Sequence, residues 1–225
     1  MRATAAAPPE SIAELVARAL ELEGLRLAEL AASVGGERPD GGVHQKGKVG
    51  ELVERALGAT GGSLARVDFP ALGVELKTIP VGKDGRPRES TFVCAVRLDD
   101  AETAEWESSW VRRKLARVLW VPILGDTKDA EREIGRALLW EPTAGQEDAL
   151  RVDFEEVMGL VGIGRVEDIT AHIGRYLQVR PKARDGSVRT HAFGRDGERI
   201  ATVPRGFYLR PTFTGALLLD AAALP

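Results

Sequence analysis

The chain has 225 residues, 44% of them hydrophobic and 29% charged, the make-up of an ordinary globule that can bury a real core as one large domain or two lobes. It has no run of 18 apolar residues, and the opening MRATAAAPPES lacks the apolar stretch of a secretory signal; a cytoplasmic protein without membrane association is expected. The net charge of −3 averages two opposed segments, since residues 129–172 hold eleven acids against four arginines and residues 173–211 nine bases against three acids, an asymmetry that suits one face for a polyanion and leaves a solvated basic loop as the other reading.

In chain order, Ser11 with Glu14 makes a capping box before LVARALELEG, and a second helical stretch, LRLAELAASVGG, follows. The glycine-rich segment from Gly35 to Gly47 predicts a loop leading into KVGELVERALGA, where Val49, Leu52, Val53, Ala56 and Leu57 form one apolar stripe. At about 100° per residue, Glu54 flanks that stripe on its Leu57 side, whereas Glu51 lies nearly opposite. DFPALGVELKTIP reads as a strand over Leu72 to Ile79, short, bounded by prolines and rich in aliphatic residues. After the turn GKDGRPRES, a second strand, TFVCAVRL, is expected to pair with it antiparallel; its Cys94, the single cysteine, reads as a core thiol and excludes both an internal disulfide and cysteine zinc sites.

WVRRKLARVLW runs from a basic cluster into a third strand, LWVPIL, and Glu147 to Leu160 predicts an acidic amphipathic helix. The last third carries the strands YLQVRPK and GFYLRP on either side of a glycine- and arginine-rich excursion, then a helix from Thr212. These elements predict an α/β chain with a mixed sheet flanked by helices.

Strand alternation puts Glu75 and Lys77 on one face and Val74 and Leu76 on the other. By itself this pattern admits two readings, an edge strand with a solvated acid–lysine pair or a metal site. Phosphodiester hydrolysis needs a hard cation to neutralise the phosphate, an activated water and a group to stabilise the leaving oxygen. Magnesium takes oxygen ligands and is usually held by one or two carboxylates with waters and substrate phosphate. Asp68 before the strand and Glu75 within it can reach one ion, and Lys77 can contact the attacking water or the phosphate.

The runs DFPALGVELKTIPV, GRPRESTFVC, RRKLARVLWVP, YLQVRPKA, GERI and PRGFYLRPTFT, with the weaker KGKVGELVERALGA, resemble the MutH family of methyl-directed mismatch-repair endonucleases, which is grouped with the restriction-type PD-(D/E)xK nucleases. The resemblance covers nearly the whole chain. It implies a single domain over 1–225 with a restriction-endonuclease-like fold of two lobes around a DNA cleft, a catalytic lobe at roughly 1–125 and a DNA-recognition lobe at roughly 126–225. It further implies that Asp68 and Glu75 bind Mg2+, with Mn2+ as an alternative, that Lys77 is the catalytic lysine, and that Glu54 and Lys114 complete the catalytic set.

For DNA binding, the resemblance points to Lys46, for which a solvated loop lysine is the other reading, and to Arg180, Pro181 and Lys182 reading GATC. Arginine suits that task because its fork bonds guanine O6 and N7 together. Tyr208 matches the tyrosine associated with sensing adenine methylation, a half-buried strand aromatic being its plainer reading. Other arginines, Arg184 and Arg189 among them, are expected to contact phosphate. Two departures stand out: Lys48 occupies a position where the family usually carries a large aromatic, and the chain ends soon after the last matched helix, where the family has a segment tied to regulation by MutL. The expected activity is nicking of the unmethylated strand at hemimethylated GATC by a monomer, with double-stranded DNA and a MutL-type ATPase as partners. The alternatives are a stand-alone restriction-like GATC endonuclease cutting both strands and a non-catalytic DNA-binding module.

Overall fold

The computed structural model describes residues 6–39, 46–62, 66–99, 104–125, 129–183, 185 and 187–222. In chain order the elements are α1 (Ile12–Glu21), α2 (Leu27–Val34), α3 (Lys46–Leu57), β1 (Glu75–Val81), β2 (Thr91–Ala95), α4 (Trp110–Leu115), β3 (Val118–Leu124), β4 (Glu133–Ile134) and β5 (Leu138–Trp140). They continue with α5 (Ala144–Gly162), β6 (Leu177–Pro181), β7 (Thr190–Phe193), β8 (Arg199–Thr202), β9 (Arg205–Leu209) and α6 (Pro211–Ala222). The chain forms two compact units, each discontinuous in sequence: the first draws on residues 1–89, 116–141 and 215–225, the second on 90–115 and 142–214. A cut near residue 125 does not follow this interleaving, because β2 and α4 belong with the C-terminal strands while β4 and β5 belong with the N-terminal helices.

In the first unit β1 pairs in parallel with β3, from Glu75 opposite Val118 to Val81 opposite Leu124, and β4 and β5 pair antiparallel with β3. β1 therefore stands at the edge of its sheet, where Pro80 is tolerated. Leu119, Val121 and Ile123, alternate residues of β3, join Leu15 of α1, Leu30 of α2 and Val53 of α3 in one buried cluster. Helix α1 starts at Ser11, whose hydroxyl accepts from Glu14 N at 3.1 Å. The Glu14 carboxylate reaches back one residue further than a capping box requires, to Glu10 N at 2.7 Å.

Two sequence expectations are corrected here. The strand begins at Glu75 rather than Leu72, because residues 69–74 close a tight turn with Gly73 at φ 65° and a Phe69–Val74 bridge. Nor do β1 and β2 form a hairpin. The connection folds back on β1 itself, with Gly82 N bonded to Arg86 O and Arg88 N to Pro80 O, both at 3.0 Å. β2 pairs instead with β9 in the second unit.

That unit holds an antiparallel sheet in the order β2–β9–β6. A bulge between Phe92 and Cys94 sets Phe92 opposite Tyr208 but Cys94 opposite Phe207. The glycine- and arginine-rich excursion, for which the sequence predicts no element, contains the β7–β8 hairpin. Helix α5 begins before Glu147, at a capping box in which Thr143 accepts from Gln146 N and the Gln146 side chain accepts from Thr143 N. The whole is a mixed α/β fold with sheets flanked by helices, and among the described residues no helix is long and apolar enough to cross a membrane.

Leu119 is fully buried where β3 meets the helices. Leu119→Ala should therefore lower the unfolding free energy by about 2–5 kcal/mol, read as a shift of the urea midpoint with unchanged slope.

Candidate active site

A parallel strand bonds a neighbour through alternate residues, so the amides between them point away. In β1, Glu75 N bonds Arg117 O at 3.0 Å, next to the β3 partner Val118, whereas Leu76 N donates to Asp68 Oδ2 at 2.8 Å. The edge amide thus holds Asp68 beside the strand that carries Glu75 and Lys77. Thr60 N and Gly61 N both donate to Asp68 O, at 3.0 and 2.9 Å. Gly61 fits there because it lacks a side chain: a Cβ would fall 2.7 Å from Asp68 Cα.

Glu75 is 1% exposed, and its Oε1 accepts from Lys77 Nζ at 2.5 Å. β1 does lie at the sheet edge, but its acid–lysine pair is not solvated, with side-chain exposures of 2% for Glu75 and 16% for Lys77. Glu54, on α3, approaches the same strand: a Cβ on Gly50 would sit 3.9 Å from Glu54 Oε1 and 3.8 Å from Thr78 Oγ1. Burial pushes the Glu54 carboxyl above its ordinary value, the charges of Asp68, Glu51 and Glu75 add to that push, and Lys77 opposes it. Of the predicted carboxylates, Asp68 and Glu75 thus both act on Glu54 through their charge. Lys114 is buried on α4 in the second unit, 6% exposed. The side chain of Lys46 and residue Arg184 lie outside what the structure describes.

In the second unit, Arg180, Pro181 and Lys182 are exposed at the end of β6, and Tyr208 is half-buried on β9. Lys182 Nζ stands 3.0 Å from the ring centre of Phe92, and that ring meets Tyr208 edge-on at 5.3 Å. Gln178 Nε2 donates to Ser90 Oγ at 2.6 Å, and Arg180 Nη1 approaches the same oxygen at 3.5 Å. Gly206 leaves room for the aromatic pair, since a Cβ there would fall 2.8 Å from Phe92. Burial raises the Tyr208 phenol while Arg180 opposes the rise, so the hydroxyl keeps its proton at neutral pH.

Sequence reasoning counted Asp153 only as one acid of a charged helix. It is 3% exposed, and its carboxylate accepts from Arg175 N, Tyr176 N and Leu177 N at 2.6, 2.6 and 2.8 Å. It therefore fixes where β6 begins, three residues before Arg180. A signal was present, because Asp153 falls at helical spacing among Leu150, Phe154 and Val157 on the buried stripe of α5.

A family model described as the DNA mismatch repair enzyme MutH matches residues 57–153. DNA mismatch repair protein MutH from Escherichia coli O9:H4 (strain HS) is 50% identical over 213 residues, covering 94% of this chain and 93% of the relative. The MutH proteins of Shigella flexneri serotype 5b (strain 8401) and Escherichia coli O6:K15:H31 match to the same extent. The chain belongs to the MutH family. It is a DNA endonuclease of mismatch repair, which sets aside the non-catalytic reading.

Among the described residues, no three His, Cys, Asp or Glu side chains form a ready-made metal cage. The donor set nonetheless suits magnesium, because Asp68 and the buried Glu75 offer hard oxygens and that ion completes its shell with water and phosphate.

The raised carboxyl of Glu54 predicts a sign for pH dependence. A folded-state value above the ordinary 4.5 means that the fold favours the protonated acid and loses stability as pH rises from 4.5 through the folded value. In chelator, Glu54→Gln should melt higher than the parent protein at neutral pH, and the gain should vanish as pH falls below 4.5, where both side chains are neutral. Melting curves across that range check it.

Proposed function

We propose that this MutH-family endonuclease nicks the unmethylated strand of hemimethylated GATC, using Mg2+ held by Asp68 and Glu75, and that a MutL-type ATPase activates it. The carrying observation is that the edge amide of β1 next to Glu75 bonds Asp68, while Lys77 bonds the buried carboxylate of Glu75 itself. When bound, the metal would neutralise the scissile phosphate and make a nearby water a better nucleophile. Asp68 supplies its second oxygen while Oδ2 stays bonded to Leu76 N. Lys77 exchanges Glu75 for the attacking water or the phosphate and stabilises the charge developing there. Glu54, whose proton is held more tightly than usual, can accept the proton that the water releases. Lys114 and Lys46 are proposed to contact substrate phosphate, and manganese to replace magnesium in the site.

Recognition falls to the sheet of the second unit. Arg180 is proposed to take guanine O6 and N7, flanked by Pro181 and Lys182, and Tyr208 to lie against adenine N6, where a methyl group adds bulk. Division of labour between the two units, a restriction-endonuclease-like fold with a DNA cleft and action as a monomer belong to the same proposal.

Glu75→Gln and Lys77→Gln should each abolish nicking of GATC plasmid while binding stays within about tenfold, or ~1.4 kcal/mol. Magnesium should raise the melting temperature of the parent protein but not of Glu75→Gln. Turnover near normal in either variant would reject the assignment.

For the reading face, strand-resolved nicking of end-labelled duplexes in three methylation states is the measurement. The parent should cut only the bare strand of a hemimethylated duplex and spare the fully methylated one. Tyr208→Ala should lose that discrimination; if it still spares fully methylated DNA as strongly, Tyr208 is not the sensor.

A further inference from the structure

The β7–β8 hairpin plays no part in the proposal so far, yet it is firmly held and presents an ordered outer face. Its strands pair Thr190 with Thr202, His191 with Ala201, Ala192 with Ile200 and Phe193 with Arg199. Alternation splits these into two faces. Ala192 and Thr202 are buried at 1% and 4%, whereas His191, Phe193, Arg199 and Ala201 are exposed, Phe193 at 49%.

An isolated two-stranded hairpin is marginal in water, so its anchorage matters. Thr202 Oγ1 donates to Glu167 Oε1 at 2.5 Å and accepts from the buried Arg205 at 2.8 Å, and Arg205 also reaches Glu167 Oε2 at 3.2 Å. At the tip, Gly164 lies against Gly194 so closely that a Cβ on Gly164 would fall 2.3 Å from Gly194 C. Several acids in and beneath the hairpin are engaged locally, while Asp196 stands exposed at its tip. Glu198 accepts from Asp196 N at 3.0 Å, Glu167 holds Thr202 and Arg205, and Asp168 pairs with Arg165 and with Arg195. Arg199 and Phe193 form one outward pair of the ribbon, beside the pair His191 and Ala201.

The hairpin is also continuous with the proposed reading strand. Lys182 N donates to Pro204 O at 2.7 Å, and Pro181 pairs with Arg205, so the base of β8 and the end of β6 are bonded together. We propose that the outer face of the β7–β8 hairpin is a further contact surface for duplex DNA, engaging the backbone outside the four recognised base pairs. Arg199 bonds phosphate oxygens, and Phe193 lies against the deoxyribose beside them. The charge is complementary, and a two-stranded ribbon fits a groove about 12 Å wide. Such contacts fix register without reading sequence. This inference rests on the reading of the chain as a GATC endonuclease.

The test is equilibrium binding of the full chain in chelator, across a salt series, to a long duplex with central GATC, a scrambled duplex of equal length, and a loop-closed duplex with about two base pairs on either side of GATC. Arg199→Gln should weaken binding to both long duplexes about three- to tenfold and reduce the slope of log K against log salt by about 0.9, the loss of one phosphate contact. The preference for GATC should stay unchanged, and parent and variant should converge on the short duplex. Ala201→Glu, which adds an acid to the same exposed face, should act in the same direction. Unchanged affinity and slope on the long duplexes in both variants would overturn this surface. A parent protein without GATC preference would instead overturn the reading on which it rests.

Discussion

The hydrogen bond from Leu76 N to Asp68 Oδ2, 2.8 Å long, ties the chemistry of this protein to its backbone. An edge strand must find partners for its outward amides. Here one partner is a carboxylate, and the residue before the bonded amide is Glu75. A demand of sheet geometry thereby holds Asp68 beside the strand that carries Glu75. The parallel register with β3 supports the arrangement from the other side, since Glu75 N is taken by Arg117 O. Gly61 permits the close approach of the Asp68 segment.

Such a site is electrostatically tense. Glu54 is desolvated, the charges of Asp68, Glu51 and Glu75 add to that effect on it, and Lys77 opposes them. A buried ion pair is weak support for stability, because desolvating both partners offsets most of their attraction. On the proposed function, the Lys77–Glu75 bond would hold two groups ready where a cation binds. A buried carboxyl perturbed by neighbouring charges, as Glu54 is, is a candidate functional group.

The second unit solves a different problem, which is to present exposed side chains at fixed positions. Arg180 and Lys182 are long and flexible, yet the strand that bears them is pinned at its start by three backbone bonds to Asp153 and at its end by the bond from Lys182 N to Pro204 O. Phe92, across the bulged pairing with β9, stands between Lys182 and Tyr208 and limits where each can lie. Precision at the surface is thus supplied by buried polar groups and a strand irregularity.

The sequence by itself determined the local elements, and the expected chemistry came from the resemblance of its motif runs to a known family. Short aliphatic strands, helical stripes and the DFPALGVELK run were legible because they depend on residues close together in the chain. The position of Glu54 was legible for the same reason, as an acid flanking an apolar stripe, while its role is what the resemblance implies. Pairing was not. β1 meets β3 and β2 meets β9 across gaps of dozens of residues, and nothing local records which edges will find each other. The hairpin at 190–202 was hidden because its inward residues are few and small, and Asp153 because an acid in an acidic helix resembles solvated charge until the amides it serves fold against it. Local propensity is written in neighbouring residues, whereas burial, partner choice and the proximity of like charges exist only once distant segments pack together.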